Sequence, residues 1–406
     1  MKIINWQFVE TWTNRLLYLA VFLLFFATYN NRAIGVKYTG YGLAMICILI
    51  LLWLNPKEIR SKLKDRTLAW LVALVAINAV AILQVDPEYQ LQSLEHFRKG
   101  LIQAALFAVA ISLAVNSVDR VKQVGLALGF ASLCITFYCI AEIIDSPIAN
   151  ALVNAPTSYR YYGFRYVFYF PFLWMLIQQS SHWKQAAWIT LVSVQLVLVA
   201  FSGFRGAWLA SIVMIALWAF FFRTKKLIVL VGVMLVLALG AAAFSSDYTF
   251  AKLNQTDTGK RWDGAWRASI DMIKDRPLFG HGFGSQVFQR ENDRLADNNP
   301  DWAMGKGLTG PHSIYLDVAF SAGIPALVIL LTIFGYIFRR IWRVIKTTQN
   351  RRLRSFAIAT LCSFVGFYVV LGALESLRWE LLGMFVGLTM SISKISQMVD
   401  SKAAAA

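Results

Sequence analysis

The stretch PHSIYLDVAFSAGIPALVILLTIFGYIFRR, residues 311–340, decides the fold class. Its apolar run exceeds the roughly 20 residues that a helix needs to cross a bilayer, and it closes on the basic segment RRIWRVIKTTQNRRLR, 339–354. An apolar span followed by clustered Lys and Arg is the pattern of a membrane helix emerging on the cytoplasmic side. At its head, Thr309 offers a helix cap, and Pro311 suits a first turn, where its missing N–H costs nothing. His312, one of only four histidines in the chain, is left without such a reason.

The same pattern recurs along the sequence. Hydrophobic residues make up 58% of the 406 and charged residues 15%, and the mean hydropathy is +0.56. That composition excludes an ordinary soluble domain. The apolar runs predict about twelve transmembrane helices, near 15–30, 38–54, 67–84, 99–115, 121–144, 165–180, 185–201, 205–222, 226–244, 312–338, 355–374 and 378–398. The chain therefore reads as an all-α integral membrane protein, a single polytopic domain over residues 1–400. The first helix is read as uncleaved, because no small-residue cleavage site precedes it. The terminal SKAAAA, 401–406, is read as a cloning remnant.

A formal net charge of +17 would raise nucleic-acid binding in a soluble chain, but here the basic residues follow topology. PKEIRSKLKDR (56–66), SVDRVK (117–122), RTKK (223–226) and the 339–354 segment all fall on one side if there are twelve spans. That side is the cytoplasmic one, with both termini, and no nucleic-acid partner is implied. Cys47, Cys134, Cys139 and Cys362 all lie in apolar segments without a CxxC pair, so neither a disulfide nor a thiolate metal site is expected.

The opposite side receives VDPEYQLQSLEHFRK (85–99), the 145–164 loop, SGFR, ESLR and a large loop, 245–311, between the ninth and tenth helices. Within that loop, Trp262, Ala265, Trp266, Ser269, Ile270 and Ile273 repeat at helical spacing. They predict an amphipathic helix capped by Asp257 or Thr258 and stopped by Pro277. It lies either at the membrane interface or on the rest of the loop. FGHGFG, 279–284, reads as a glycine turn. Neither an HExxH nor a DxD element that would hold a metal is present in the outer loops.

Three polar residues stand at membrane boundaries, where charge is costly and an ionisable group is a candidate for function or for snorkelling. Arg205, in FSGFRGAWLA, has the guanidinium fork that fits a phosphate or diphosphate, or else anchors its helix at the interface. Arg261 opens the amphipathic helix, where a cation works against the dipole, so a phosphate contact is its alternative to a passive role. His312 is a candidate proton acceptor or a capping residue. The other histidines are weaker candidates: His182 lies on the cytoplasmic side, His281 in the glycine turn and His96 in a charged amphipathic stretch.

These residues carry a family resemblance. His312-Ser313 followed by nine residues and Gly323 resembles the His-[Asn/Ser/Gln]-x9-Gly signature of bacterial lipopolysaccharide O-antigen ligases, within the O-antigen ligase/polymerase superfamily. RGAWL, 205–209, resembles their Arg-x3-Leu element. The signature continues Gly-x-x-[Gly/Thr/Tyr], whereas here Gly323 is followed by Ile324, Pro325 and Ala326; alanine keeps the position small.

The resemblance implies a GT-C-like membrane glycosyltransferase of the bacterial inner membrane, with its active site facing the periplasm. Such an enzyme moves polysaccharide from undecaprenyl diphosphate to a sugar hydroxyl of lipid A–core, with no cofactor and no metal. It further implies that His312 is the general base and that Arg205 and Arg261 hold the diphosphate. Glu375, in LESLR, matches an acidic family position and would orient His312 or the acceptor, unless it pairs with Arg378. Arg160 and Arg165 are further candidates for phosphate contact. An O-antigen polymerase or a protein O-oligosaccharyltransferase would use the same donor. A transporter or flippase is the rival from another class, but neither internal repeats nor midplane charges favour it.

Overall fold

The computed structural model describes residues 6–27, 33–145, 157–202, 204–222, 262–298, 306–375 and 378–405. Every regular element among them is helical. The order is α1 (Trp6–Ala27), α2 (Ile34–Leu54), α3 (Pro56–Leu63), α4 (Arg66–Ile82), α5 (Pro87–Phe97), α6 (Gln103–Ala114), α7 (Val118–Asp145), α8 (Thr157–Gln179), α9 (His182–Phe201) and α10 (Arg205–Phe222). After the next described break come α11 (Arg267–Asp275), α12 (Ser285–Asn298), α13 (Ile314–Thr347), α14 (Arg351–Phe364) and α15 (Trp379–Ala405).

Nine helices among the described residues are long and apolar enough to cross a membrane, or ten if α3 and α4, which meet at 86°, form one broken span. The expected span 226–244 lies outside the described residues. The expected span 165–180 is α8, which is not among the nine. Its run YRYYGFRYVFYFPFLW is aromatic rather than strongly apolar, and Tyr166, Val167, Phe168, Tyr169 and Phe170 are completely buried. A helix that faces protein on all sides needs packing surface more than it needs lipid solubility.

Several boundaries differ from the sequence expectation. The segment 85–99, expected as a loop, is helical from Pro87 and runs through a π-turn at Arg98–Ile102 into α6. Lys99 pairs with Glu95 one turn back at 2.5 Å, so the charges of EHFRK lie along the helix rather than breaking it. The basic 339–354 segment is mostly helix, because α13 continues to Thr347 and α14 starts at Arg351. The terminal alanines extend α15 as far as Ala405.

Within a bilayer, helix association rests on close packing rather than on the hydrophobic effect. Gly383 and Gly387, one turn apart on α15, supply it against α6: a β-carbon on Gly383 would stand 1.9 Å from the Ala104 carbonyl oxygen, and one on Gly387 2.8 Å from that of Ala108. At one end of the bundle Arg340 donates to the Asp65 carboxylate at 2.5 and 2.7 Å, and the Lys394 ammonium donates to the Lys62 carbonyl. Two of the segments expected on one face, 56–66 and 339–354, are thus gathered at one end, here termed the basic end. The opposite end, which bears His312, is termed the site end.

At the site end a second, smaller core forms from Val85, Ala268, Met272, Val287, Phe288 and Phe320. It joins the start of α5, α11, α12 and the first turns of α13 into a lobe. Arg290 braces the lobe by donating to Asp86 and Glu291 and lying 5.1 Å over the Tyr89 ring. The amphipathic segment of the large loop therefore packs on protein: its buried face, Ala268, Ser269 and Met272, meets this lobe. A π-turn at Trp262–Trp266 leads into it, and its expected caps, Asp257 and Thr258, lie outside the described residues.

Candidate active site

The head of α13 is built differently from a capped helix. Thr309 does not cap it; the helix begins at Ile314, and His312 stands before it in the left-handed region at φ 51°. A non-glycine residue there is strained and needs its surroundings to hold it. Pro311 and Ser313 are buried on either side, and the His312 side chain remains 44% exposed. The turn therefore projects the ring out of a fixed backbone.

Nine residues past Ser313 the helix breaks. Ala322 and Gly323 leave helical geometry, Gly323 at φ 80° and ψ 177°, a combination open in practice to glycine alone. The break exposes carbonyls that a helix would use internally, and the 277–284 turn takes them. His281 N–H donates to Phe320 O at 2.8 Å, Gly282 N–H to Ser321 O at 3.0 Å, and in return Ile324 N–H donates to Pro277 O at 2.7 Å. Gly280 and Gly323 permit the contact, since a β-carbon on either would lie within 2.6 Å of the opposing backbone. The glycine turn and the x9-Gly spacing are two halves of one joint. Ala326, where the signature carries Gly, Thr or Tyr, is fully buried below it.

Glu375 reaches the histidine from the far side. Its Oε2 lies 3.4 Å from His312 Nδ1, across 63 residues of sequence. With its proton on Nδ1, the ring donates to the carboxylate and leaves the Nε2 lone pair facing outward. Tyr315 holds the two elements in register by donating to the Tyr368 and Val369 carbonyls, each at 3.2 Å. Arg378, the alternative partner for Glu375 in the sequence, lies 3.7 Å from Glu380, which also pairs with Lys37 at 2.7 Å.

The arginines are placed less completely. Arg205 is the first residue of α10 and is partly exposed. Its neighbour Gly206 lies against Leu371 and Leu374, the residue before Glu375. Gly163, two residues before the partly exposed Arg165, lies against Ser202 and Phe204, the residue before Arg205. Packing thus brings Arg165, Arg205, Glu375 and His312 to one end of the bundle. Arg160 is in the first turn of α8, with only its backbone among the described residues, and Arg261 lies outside them.

His281 belongs to the scaffold. It is buried, stacks on Phe320 at 5.0 Å, and its Nε2 donates to the Met272 carbonyl at 2.7 Å. Burial pushes its pKa down, against the pull of that carbonyl and of Glu291. Burial also works to raise the Glu291 pKa, but hydrogen bonds from Arg290 and the charges of His281, Arg290 and Arg294 outweigh it and hold the carboxyl below its ordinary range. Among the described residues no three His, Cys, Asp or Glu side chains gather as a metal site.

Residues 187–331 match the family described as O-Antigen ligase, a segment that contains Arg205, Arg261, His312 and Gly323. An O-antigen ligase of Salmonella typhimurium is 25% identical over 399 residues, covering 92% of this chain and 95% of its own. The chain is a relative of the O-antigen ligases. An O-antigen ligase of Pseudomonas aeruginosa is 24% identical over 288 residues, covering 67% of this chain and 65% of its own. The resemblance read from His312, Gly323 and Arg205 is borne out, and the likeness to the Salmonella ligase spans nearly the whole chain. Two features of this relative were missed in the sequence. The docked 277–284 turn left only its glycines as a signal, and Asp317 left one carboxylate inside an apolar run.

Proposed function

We propose that this relative of the O-antigen ligases transfers O-antigen polysaccharide from undecaprenyl diphosphate to a sugar hydroxyl of lipid A–core, at the periplasmic face of the bacterial inner membrane. The observation that carries the reading is the His312–Glu375 pair, 3.4 Å apart at a boundary end of the bundle. It has the base-and-orienter form of a general-base site.

In the reaction, the acceptor O–H gives its proton to His312 Nε2 as its oxygen attacks the anomeric carbon. The bond from that carbon to the diphosphate oxygen breaks on the opposite side, so the anomeric centre inverts. Arg205 and Arg261 neutralise the charge that grows on the leaving diphosphate, the electrostatic contribution that commonly dominates such catalysis. Glu375 holds the ring and stabilises the imidazolium that forms. In this reading both termini are cytoplasmic, and the arginines supply the counter-charge that a divalent ion provides elsewhere.

The test is reconstitution of the purified chain with an undecaprenyl-diphosphate glycan in buffer containing EDTA. Lipid A–core, a second lipid-linked glycan and an unfolded protein substrate are offered in parallel. Transfer to lipid A–core by the parent protein and none by His312→Ala is the expected result. Chain extension of the lipid-linked glycan, or transfer to protein, would assign the chain to polymerase or oligosaccharyltransferase chemistry instead.

A further inference from the structure

Asp317 is the one acidic or basic residue in the apolar run that follows His312 before the basic end. It sits in the first turn of α13, with its backbone N–H bonded to the Ser313 carbonyl. At about 1.5 Å rise per residue, it stands about 6 Å below Ser313 along the helix. Its carboxylate makes neither a hydrogen bond nor an ion pair with any described residue, and no charged group among the described residues acts on it. It is packed deep in protein, yet part of its surface stays open. Its neighbours on the same helical face, Ser313, Phe320 and Ser321, are buried.

The carboxylate also has little freedom to escape. Residues 314–321 are fixed by the Tyr315 hydroxyl on one side, by the 277–284 turn on the Phe320 and Ser321 carbonyls on another, and by the break at Gly323 below. Those carbonyls are already occupied and would in any case repel it. An unpaired carboxylate held rigidly at the end of a membrane helix is costly, and the helix dipole offsets only a small part. Such a group is retained where something outside the chain completes it.

The chemistry narrows what that is. A carboxylate only accepts hydrogen bonds, through about four lone-pair positions. It repels phosphate and offers nothing to a lipid tail, whereas sugar rings present adjacent hydroxyl donors that form strong charge-assisted bonds to it. We propose that Asp317 receives hydroxyl groups of the glycan and so selects which sugar is presented to His312, while the arginines hold the phosphate end. This rests on the transferase reading above, and the two are separable by experiment.

The full chain in nanodiscs, as parent, Asp317→Asn and Asp317→Ser, is assayed with acceptor varied at saturating donor and then the reverse. Both variants are expected to raise KM for one substrate about tenfold or more, the loss of one charge-assisted hydrogen bond, with kcat within about threefold and a Tm no lower than the parent's, since a costly unpaired charge is removed. A rise for lipid A–core assigns the contact to the acceptor sugar, and a rise for the lipid-linked glycan assigns it to the donor sugar. Unchanged KM for both substrates in an active variant, or a kcat loss with KM unchanged, overturns the inference and leaves the ligase reading intact. If the parent itself transfers nothing, the ligase reading fails on its own. Binding of the delipidated core and O-antigen oligosaccharides to parent and Asp317→Asn, followed by calorimetry, then decides Asp317: weaker binding by the variant supports the contact, and equal binding overturns it.

Discussion

The backbone of Leu278 lies so close to Gly323 that a β-carbon on Gly323 would stand 2.5 Å from the Leu278 carbonyl carbon and oxygen. Gly323→Ala must therefore push the 277–284 turn off the broken helix and also hold alanine in a backbone region open to glycine. The strain alone is worth about 1–3 kcal/mol, and loss of the docking bonds adds to it. The expected outcome is a clear fall in Tm together with a fall in transfer activity, measured by thermal unfolding in detergent alongside the ligation assay. Parent-like stability would mean that the turn can dock without the glycine.

Glu375→Gln keeps the shape of the side chain and removes its charge. If Glu375 orients the imidazole and steadies its protonated form, kcat falls by about 10- to 100-fold, and His312→Ala falls further, by about 10²- to 10⁴-fold. Both variants should keep the parent Tm. Because the two groups act as a unit, the double variant should be no worse than His312→Ala; additive losses would show that they act separately.

Arg205→Lys preserves positive charge and loses the two-pronged donor. Donor KM should rise roughly tenfold, while the response to acceptor concentration stays as in the parent. Full activity in the lysine variant would leave a point charge as the whole contribution of Arg205.

Acid should loosen the lobe around His281. Its pKa is pushed down from 6.5 by burial in the folded chain, so the unfolded chain binds protons first as pH falls. The stability it contributes is complete above about pH 6.5 and declines below that, through the folded pKa. Glu291, also depressed, adds a loss in the same direction from about pH 4.5 downward. The Tm of the parent should fall between pH 7 and 5, and His281→Gln should flatten that part of the curve. A parent Tm that is flat across this window would contradict the assignment.

Much of the bundle was legible because each span is written locally, as an apolar run with basic residues at one end. Arg340 and Asp65, 275 positions apart, put two of those basic segments, 56–66 and 339–354, at one end. The approach of Glu375 to His312 was not written locally, since it depends on α14 packing beside α13. The helix start at Thr309 was misplaced because the left-handed turn at His312 intervenes, and composition carries no sign of that. The same holds for 277–284: a turn bonded through backbone groups leaves only permissive glycines in the sequence, and those also occur in turns with no partner. EHFRK, read as the end of an outer segment, lies within a helix, and its Glu95 and Lys99 pair a turn apart.

The break at Ala322 and Gly323 also divides α13 mechanically. As a single rod its 34 residues would span about 50 Å, well beyond the roughly 30 Å of a hydrocarbon layer. A rigid rod of that length would transmit every change of tilt to the histidine. Here the short upper piece is fixed to the 277–284 turn and to the carbonyls of Tyr368 and Val369, while the longer lower piece meets lipid and the basic end. In a bilayer, variation in thickness would be taken up below the break. His312 is held by the lobe above the break, so a tilt of the shaft below it need not carry the histidine along.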